Sequence, residues 1–292
     1  MQLLDGKIVS QSIKERIKQE VAQMLDEGKR APHLAAILIG ENPASQTYVA
    51  NKEKSAREVG MISTVYKLSE NTSEKEVFEI IDFLNNDAEV DGFIVQLPLP
   101  EHLDEQKIIA HINPDKDVDG FHPINLGKML LGQSTFLPAT PMGILELLKH
   151  YNIETEGKHC VVVGRSHIVG TPMALLMSRP TYPGNATVTL CHSKTKNLQE
   201  ITKTADILIV AMGKPQYITA DFVKKDAVVI DVGIHRIEDP SKSSGFRLVG
   251  DVDFESVSAV ASWLTPVPGG VGLTTVASLL INTLQARKNK MK

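Results

Sequence analysis

"CVVVGRSHIVGTP" (160–172) runs apolar up to Gly164, carries a second glycine at Gly170 and closes on a proline. An apolar run of strand length that ends in glycine and gives way to the helical pattern "VGTPMALLMS" reads as a strand–loop–helix turn. Such a turn aims backbone N–H groups and the positive end of a helix at one point, which suits an anion such as a dinucleotide pyrophosphate. The spacing G-x-x-x-x-x-G is looser than G-x-G-x-x-G. On pattern alone two readings stand: a phosphate loop, or glycines that serve turn geometry only.

Similar apolar runs recur along the chain: "LAAILIG" (34–40), "DGFIVQLPL" (91–99), "KHCVVVG" (158–164), "ATVTLCH" (186–192), "DILIVAMG" (206–213) and "AVVIDVG" (227–233). Strands that are apolar on both faces belong to parallel sheets covered by helices. The amphipathic stretches 10–28, 43–60, 73–85 and 143–151 supply those helices. The pattern predicts an α/β protein of two lobes, the second a Rossmann-type, doubly wound parallel sheet. The Gly-, Ser-, Thr- and Pro-rich "LLGQSTFLPATPMG" (130–143) sets the boundary near 140, and "LTTVASLLINTLQARK" (273–288) reads as a C-terminal helix.

At 292 residues, 42% hydrophobic and 23% charged, the composition is that of an ordinary globular chain long enough for two domains. The net charge of −4, with basic residues scattered, argues against a nucleic-acid partner. No secretory leader or apolar run of about 18 residues stands out, so a soluble cytoplasmic protein without membrane association is expected. Cys160 opens one predicted strand and Cys191 closes the next, which predicts reduced, structural thiols at opposite ends of the sheet.

In an NAD site the second strand of the nucleotide fold ordinarily ends on an acidic residue that binds the ribose hydroxyls. Here that strand runs into "CHSKT" (191–195), with neither Asp nor Glu. Arg165, directly after the loop glycine, and Ser193 beside Lys194 offer bonds to a 2′-phosphate, so NADP is the expected cofactor. The plainer reading leaves Arg165 and Lys194 as solvated cations. "AMGKP" (211–215) and "DVGIHR" (231–236) fall at the same sheet edge and would border the nicotinamide half.

"DKDVDG" (115–120) opens like a calcium loop but fails as one: Leu126 stands where a bidentate Glu is needed, and Pro123 interrupts. No metal is expected. Asp119 is then either a turn carboxylate or one aimed at a polar ligand. In "SQTYVANKEKSA" (45–56), Tyr48 and Lys52 are four apart and share a helix face, as a site pair or as a lysine snorkelling past an aromatic.

"YVANK", "VQLPLP" (95–100), "DKDVDG", "GRSHIVGTP" and "TPVPGGVG" (265–272) occur in the order and spacing of the methylenetetrahydrofolate dehydrogenase/cyclohydrolase family, which this chain resembles over nearly its whole length. The resemblance implies a homodimeric, bifunctional enzyme acting on tetrahydrofolate derivatives. It would oxidise 5,10-methylenetetrahydrofolate with NADP and hydrolyse the methenyl product to 10-formyltetrahydrofolate. It further implies a folate-binding catalytic domain of residues 1–140 plus 273–292, an NADP-binding domain of 141–272, and an active site in the cleft.

Carried over by residue, the resemblance makes Lys52 the catalytic lysine, Gln96 the glutamine that contacts and tunes it, and Tyr48 a tyrosine lining the folate site. Asp119 corresponds to the carboxylate that bonds the pterin, and Pro268, Gly269 and Gly270 are further substrate contacts. Gly164, Arg165, Ser166, Gly170, Ser193 and Ile234 are the cofactor contacts, with Arg165 and Ser193 on the 2′-phosphate. The chemistry agrees with these residue types. Hydride loss from the methylene bridge is driven by nitrogen lone pairs and needs positioning, whereas hydrolysis needs a proton taken from water and one given to a ring nitrogen. A lysine suits both transfers if its pKa is lowered by a desolvated site and a cationic substrate. The chain departs from the usual family pattern at Ala139, Met142, Leu273 and Thr274.

Overall fold

The computed structural model describes residues 1–242 and 245–291. Its strands, in chain order, are β1 (Gln2–Leu3), β2 (His33–Ile39), β3 (Ile62–Leu68), β4 (Gly92–Val95), β5 (His159–Val163), β6 (Thr187–Cys191), β7 (Ile207–Val210), β8 (Val228–Asp231), β9 (His235–Glu238), β10 (Phe246–Val249) and β11 (Trp263–Leu264). They form a parallel sheet ordered β3-β2-β4, a second parallel sheet ordered β1-β11-β8-β7-β5-β6, and an antiparallel hairpin of β9 with β10. The α/β class and the Rossmann-like parallel sheet are those the apolar runs predict. The chain divides into two compact units, one of Gln11–Ala139 with the residues from Val276 onward, the other of Met1–Ser10 with Thr140–Thr275. No helix among the described residues is long and apolar enough to cross a membrane.

In the first unit β2 is central, paired on both sides and buried from Leu34 to Ile39. The helix Glu74–Asn86 begins at a capping box in which Ser73 and Glu76 satisfy each other's backbone N–H. Its Val77, Ile81 and Leu84 are fully buried and pack with Ala35, Ile37, Phe93 and Val95. β3, "ISTVYKL", escapes the apolar-run reading because it is a half-exposed edge strand. β4 stops at Val95, short of the apolar run, since Pro98 and Pro100 have no N–H to continue a ladder. The C-terminal helix Val271–Asn289 gives this unit buried Leu279, Leu280 and Leu284.

In the second unit β5, β7 and β8 lie inside the sheet, and Val161, Val163, Leu208, Val210 and Val229 form its core with Leu264. β6 is an edge strand, which explains its exposed Thr187 and Leu190 against buried Cys191. Cys160 pairs in register with Val188 and Cys191 with Val163, so the two free, buried thiols stand at opposite ends of the strand pair. Burial pushes the Cys160 thiol up to about 12.

Residues 1–10 group with the second unit: Gln2 and Leu3 pair with Trp263 and Leu264, and Gly6 N–H donates to the Gly269 carbonyl at 2.9 Å. A two-residue strand is too short to show as an apolar run. The unit boundaries fall between Ser10 and Gln11, between Ala139 and Thr140 and between Thr275 and Val276, each inside or at the start of a helix.

Candidate active site

The helix Pro43–Glu58 carries Tyr48 and Lys52. It starts where the sequence allows: Asn42 Oδ1 accepts from the N–H of Ala44 and Ser45 at 3.0 and 3.1 Å, and Pro43 occupies the first helical position. Ser45, Val49 and Ala56 mark its buried side. At 3.6 residues per turn Lys52 falls on that same side. A cation there needs a partner, and Lys52 Nζ donates to Gln96 Oε1 at 3.0 Å. Gln96 sits directly after β4, its N–H still bonded to the Ile37 carbonyl at 2.9 Å and its Nε2 donating to Leu97 O at 2.6 Å. The amide is thus fixed with its oxygen towards the amine, a neutral partner where a carboxylate would form an ion pair. Tyr48, half-buried, has its phenol pushed up by desolvation.

The "DKDVDG" segment separates its aspartates. Asp115 is exposed. Asp117 is buried and accepts from Gly120 N (3.2 Å), His122 N (2.8 Å) and Asn125 Nδ2 (2.9 Å), so it fastens the turn. Gly120, at φ +75°, lies so close to Leu137 that a Cβ would stand 2.6 Å from its carbonyl carbon. Asp119 is half-buried, and its carboxylate has no hydrogen-bond partner among the described residues. Desolvation raises it most, opposed by the charge of Lys52 and reinforced by that of Asp117. Asp119 is therefore within electrostatic reach of Lys52 and open to an outside donor. Asn282 holds the turn from behind, donating to Val118 O (2.8 Å) and Leu137 O (2.9 Å). No group of three His, Cys, Asp or Glu among the described residues could hold a metal.

In the second unit the loop after β5 has the form the sequence predicts. Gly164, at φ +130°, is pressed against Ala211: a Cβ there would lie 2.1 Å from its carbonyl oxygen. A Cβ on Gly170 would lie 1.9 Å from the Gly164 oxygen, so both glycines are required by backbone packing. Ser166 Oγ accepts from the N–H of Val169 (3.2 Å) and Gly170 (3.4 Å) and shapes the turn into the helix Gly170–Ser178. Gly164 N–H donates to Cys191 O at 2.9 Å, which ties this loop to the end of β6. Arg165 and Ser193 therefore leave the backbone within two residues of one hydrogen bond. Both are exposed, and neither side chain has a protein partner among the described residues. Ile234 is 43% exposed, which is unusual for an isoleucine beside a sheet edge.

Two carboxylates at this edge have roles that the sequence patterns do not assign. Asp231, ending β8, accepts from the N–H of Gly233, Asp251 and Val252, each at 2.9 Å. Its burial outweighs those bonds and pushes it up to about 7. Asp251, fully buried, accepts from Met212 N (2.7 Å), Gly213 N (3.0 Å), Lys214 N (2.8 Å) and His235 Nε2 (2.7 Å). Nearby glycines leave room for them: a Cβ on Gly250 would lie 1.8 Å from Asp231 Oδ2.

Pro268, Gly269 and Gly270 also fall in the second unit, in the turn before the C-terminal helix, with Gly269 at φ +113°. Residues 4–119 match the description "Tetrahydrofolate dehydrogenase/cyclohydrolase, catalytic domain", and residues 138–291 match its "NAD(P)-binding domain". The chain belongs to the tetrahydrofolate dehydrogenase/cyclohydrolase family. It is 59% identical over 286 residues to the bifunctional protein FolD of Cytophaga hutchinsonii, covering 98% of this chain and 99% of that one. The crystal structure of the bifunctional FolD methylenetetrahydrofolate dehydrogenase/cyclohydrolase of Campylobacter jejuni is 49% identical, covers 99% of both chains and superposes with a TM-score of 0.92. The Trypanosoma brucei enzyme, solved with NADP cofactor and an inhibitor, is 36% identical with a TM-score of 0.93, covering 99% of this chain and 97% of that one. The NAD(P)-binding match runs through the C-terminal helix, whereas the compact units group that helix, from Val276 onward, with Gln11–Ala139.

Proposed function

We propose that in this member of the family Lys52, held by Gln96, is the proton-transfer group for hydrolysis of 5,10-methenyltetrahydrofolate to 10-formyltetrahydrofolate, the second of two activities. The first is NADP-dependent oxidation of 5,10-methylenetetrahydrofolate to the methenyl cation. The observation that carries the reading is the 3.0 Å bond from Lys52 to a neutral amide on the buried side of a helix, with unpaired Asp119 in electrostatic reach.

Water attacking the methenyl carbon loses a proton to the Lys52 amine; the ammonium so formed protonates the ring nitrogen as its bond to that carbon breaks. The remaining water proton leaves the adduct's hydroxyl as the formyl C=O forms, and it is the one proton released overall. Gln96 orients the amine through both steps without adding the negative charge that would hold it protonated. Tyr48 offers a ring face to the folate, and Asp119 accepts from the pterin N–H groups.

The residues of the second unit suit NADP. The loop between Gly164 and Gly170 is free of bulk at both glycines, Ser166 shapes the helix start, and Arg165 and Ser193 present a guanidinium and a hydroxyl with no partner among the described residues, beside a strand end, CHSKT, that carries no acidic residue. NADP held there would supply the hydride acceptor, and exposed Ile234 would offer an apolar contact to its nicotinamide half. We assign the folate-binding catalytic role to the unit containing Lys52 and place the enzyme in the cytoplasm as a homodimer. The unpaired edge of β6, with Leu190 38% exposed, supports self-association. Light scattering of the purified enzyme tests it.

The decisive experiment is Lys52→Met, which keeps much of the side-chain length and removes the amine. Cyclohydrolase activity should fall by about 10²- to 10⁴-fold, the usual contribution of a general acid–base group. Dehydrogenase activity should fall less, with folate and NADP binding measured separately. Hydrolysis at the native rate would make Lys52 a bystander.

A further inference from the structure

The three consecutive amides of Met212, Gly213 and Lys214, just past β7, converge on one point, as amides do in loops that bind phosphate. In this protein the anion at that point is internal: both carboxylate oxygens of Asp251 fill it, and Oδ1 also takes the His235 ring N–H. These bonds reach in two directions. The loop Asp251 holds begins at Ala211, whose carbonyl is the backbone against which Gly164 closes; Ala211 N–H in turn donates to Val163 O at 2.8 Å, the last residue before Gly164. On the other side, Ile234 lies between Gly233, whose N–H is bonded to Asp231, and His235, whose ring is bonded to Asp251. Asp231 then fixes Asp251 itself by accepting its N–H.

We propose that Asp251 is a positioning residue for the NADP site, setting through the 212–214 amides the backbone against which Gly164, the residue before Arg165, packs, and through His235 the placement of Ile234. It touches neither reacting atoms nor, by this account, the cofactor. The proposal rests on the NADP reading above, and it makes Asp251 and His235 matter to cofactor binding while leaving hydrolysis, whose groups lie in the other unit, untouched.

The test uses Asp251→Asn, which keeps the shape but turns one acceptor into a donor facing backbone N–H groups, and His235→Phe, which removes only the ring donor. His235→Gln, which restores an N–H donor, is the rescue. NADPH affinity is read directly by fluorescence titration, and KM for NADP, dehydrogenase kcat and cyclohydrolase rate without cofactor are measured on the same preparations. Losing a hydrogen bond to a charged acceptor should weaken NADP binding and raise its KM roughly 10- to 100-fold in Asp251→Asn, and about 10-fold in His235→Phe, with partial recovery in His235→Gln. Dehydrogenase kcat at saturating NADP and the cyclohydrolase rate should stay within about 2-fold. NADPH affinity unchanged in both variants overturns the proposal. So does an equal fall in both activities, which would make Asp251 a general structural group. If Asp251→Asn does not fold, His235→Phe and its rescue decide alone. A native enzyme that binds NADPH but turns over no folate would sink the functional reading, while the binding titration would still judge Asp251.

Discussion

Replacing Gln96 by Glu changes one atom of the Lys52 partner and adds a charge. The Lys52–Gln96 separation is 3.0 Å. At that distance opposite unit charges attract by ~1.4 kcal/mol in bulk water and ~5.5 kcal/mol at an effective dielectric of 20. Both side chains are half-buried, so the ammonium gains a value between these limits, reduced by solvent screening. Each 1.36 kcal/mol is a tenfold change in the protonation equilibrium, so the free amine needed to accept the water proton becomes scarcer by about 10-fold to 10⁴-fold before screening, and by less after it. The full general acid–base contribution of about 10²- to 10⁴-fold caps the loss. The variant also gives up the Nε2 bond to Leu97 O and sets a carboxylate oxygen against that carbonyl. Gln96→Met, which removes the acceptor without adding charge, separates the two effects. The assay is decay of methenyltetrahydrofolate absorbance across pH, beside dehydrogenase turnover on the same preparation. Gln96→Glu should hydrolyse slowly near neutrality and recover towards high pH, Gln96→Met should show a smaller loss with no displaced profile, and oxidation should change less in both. A Gln96→Glu enzyme with the native hydrolysis rate and native pH profile would refute the proposed proton route.

Arg165→Ala should weaken NADP roughly 10- to 100-fold while changing NAD little, because one charged hydrogen bond contributes about 1.5–3 kcal/mol; equal losses for both cofactors would remove the 2′-phosphate assignment. Asp119→Asn should raise KM for folate substrates in both activities and leave NADPH affinity intact, a split that steady-state kinetics and titration read together. Asp91, fully buried, accepts from Arg30 at 2.6 and 2.8 Å and from His33 N at 2.9 Å, so Asp91→Ala should cost about 1–3 kcal/mol in urea unfolding by leaving those N–H groups without their acceptor, while Arg30 keeps the Ala31 and Ala88 carbonyls. Asp231 is pushed up from 3.8 to about 7, so the folded state holds its proton more tightly than the unfolded one. Its contribution is complete below pH 4 and disappears as pH rises through about 7, up to about 4 kcal/mol in all; Asp231→Asn should flatten that part of the stability–pH curve, and an unchanged slope would contradict the assignment.

The readable part of this fold is the part whose burial is written into local composition. β2, β5, β7 and β8 lie inside parallel sheets, both faces must be apolar, and their sequences are unbroken apolar runs. β9 and β10, "HRIE" and "FRLV", pair as a two-stranded ribbon with charged side chains on it, and β1 is two residues long, so neither leaves such a run. The same division holds at the site. Helical periodicity places Tyr48 and Lys52 on one face, but whether that face is buried depends on what the sheet presents to it, and only the resemblance to a known family gave those residues their roles in advance. "DKDVDG" shows the limit most sharply. Three aspartates at even spacing look alike in sequence, yet Asp115 is solvated, Asp117 is consumed by its own turn and Asp119 alone has a carboxylate left over.

Asp251 was invisible for a different reason. Its partners are backbone amides at 212–214, 37 to 39 positions away, and an amide is present at every residue except proline. A carboxylate that recognises main chain leaves no complementary side chain for a motif to register. The glycines leave the better trace: Gly233 and Gly250 stand where a Cβ would strike Asp251 and Asp231, although the glycine-bearing "DVGIHR" reads in sequence as a ligand edge. Glycine at a strand end therefore has two meanings that sequence does not separate, room for a ligand or room for the protein's own carboxylate. At Gly164 and Gly170 the clash is with backbone and the neighbouring Arg165 is unpartnered, which points outward to a cofactor; at Gly233 and Gly250 the clash is with the buried pair, which points inward to the scaffold that holds the cofactor loop.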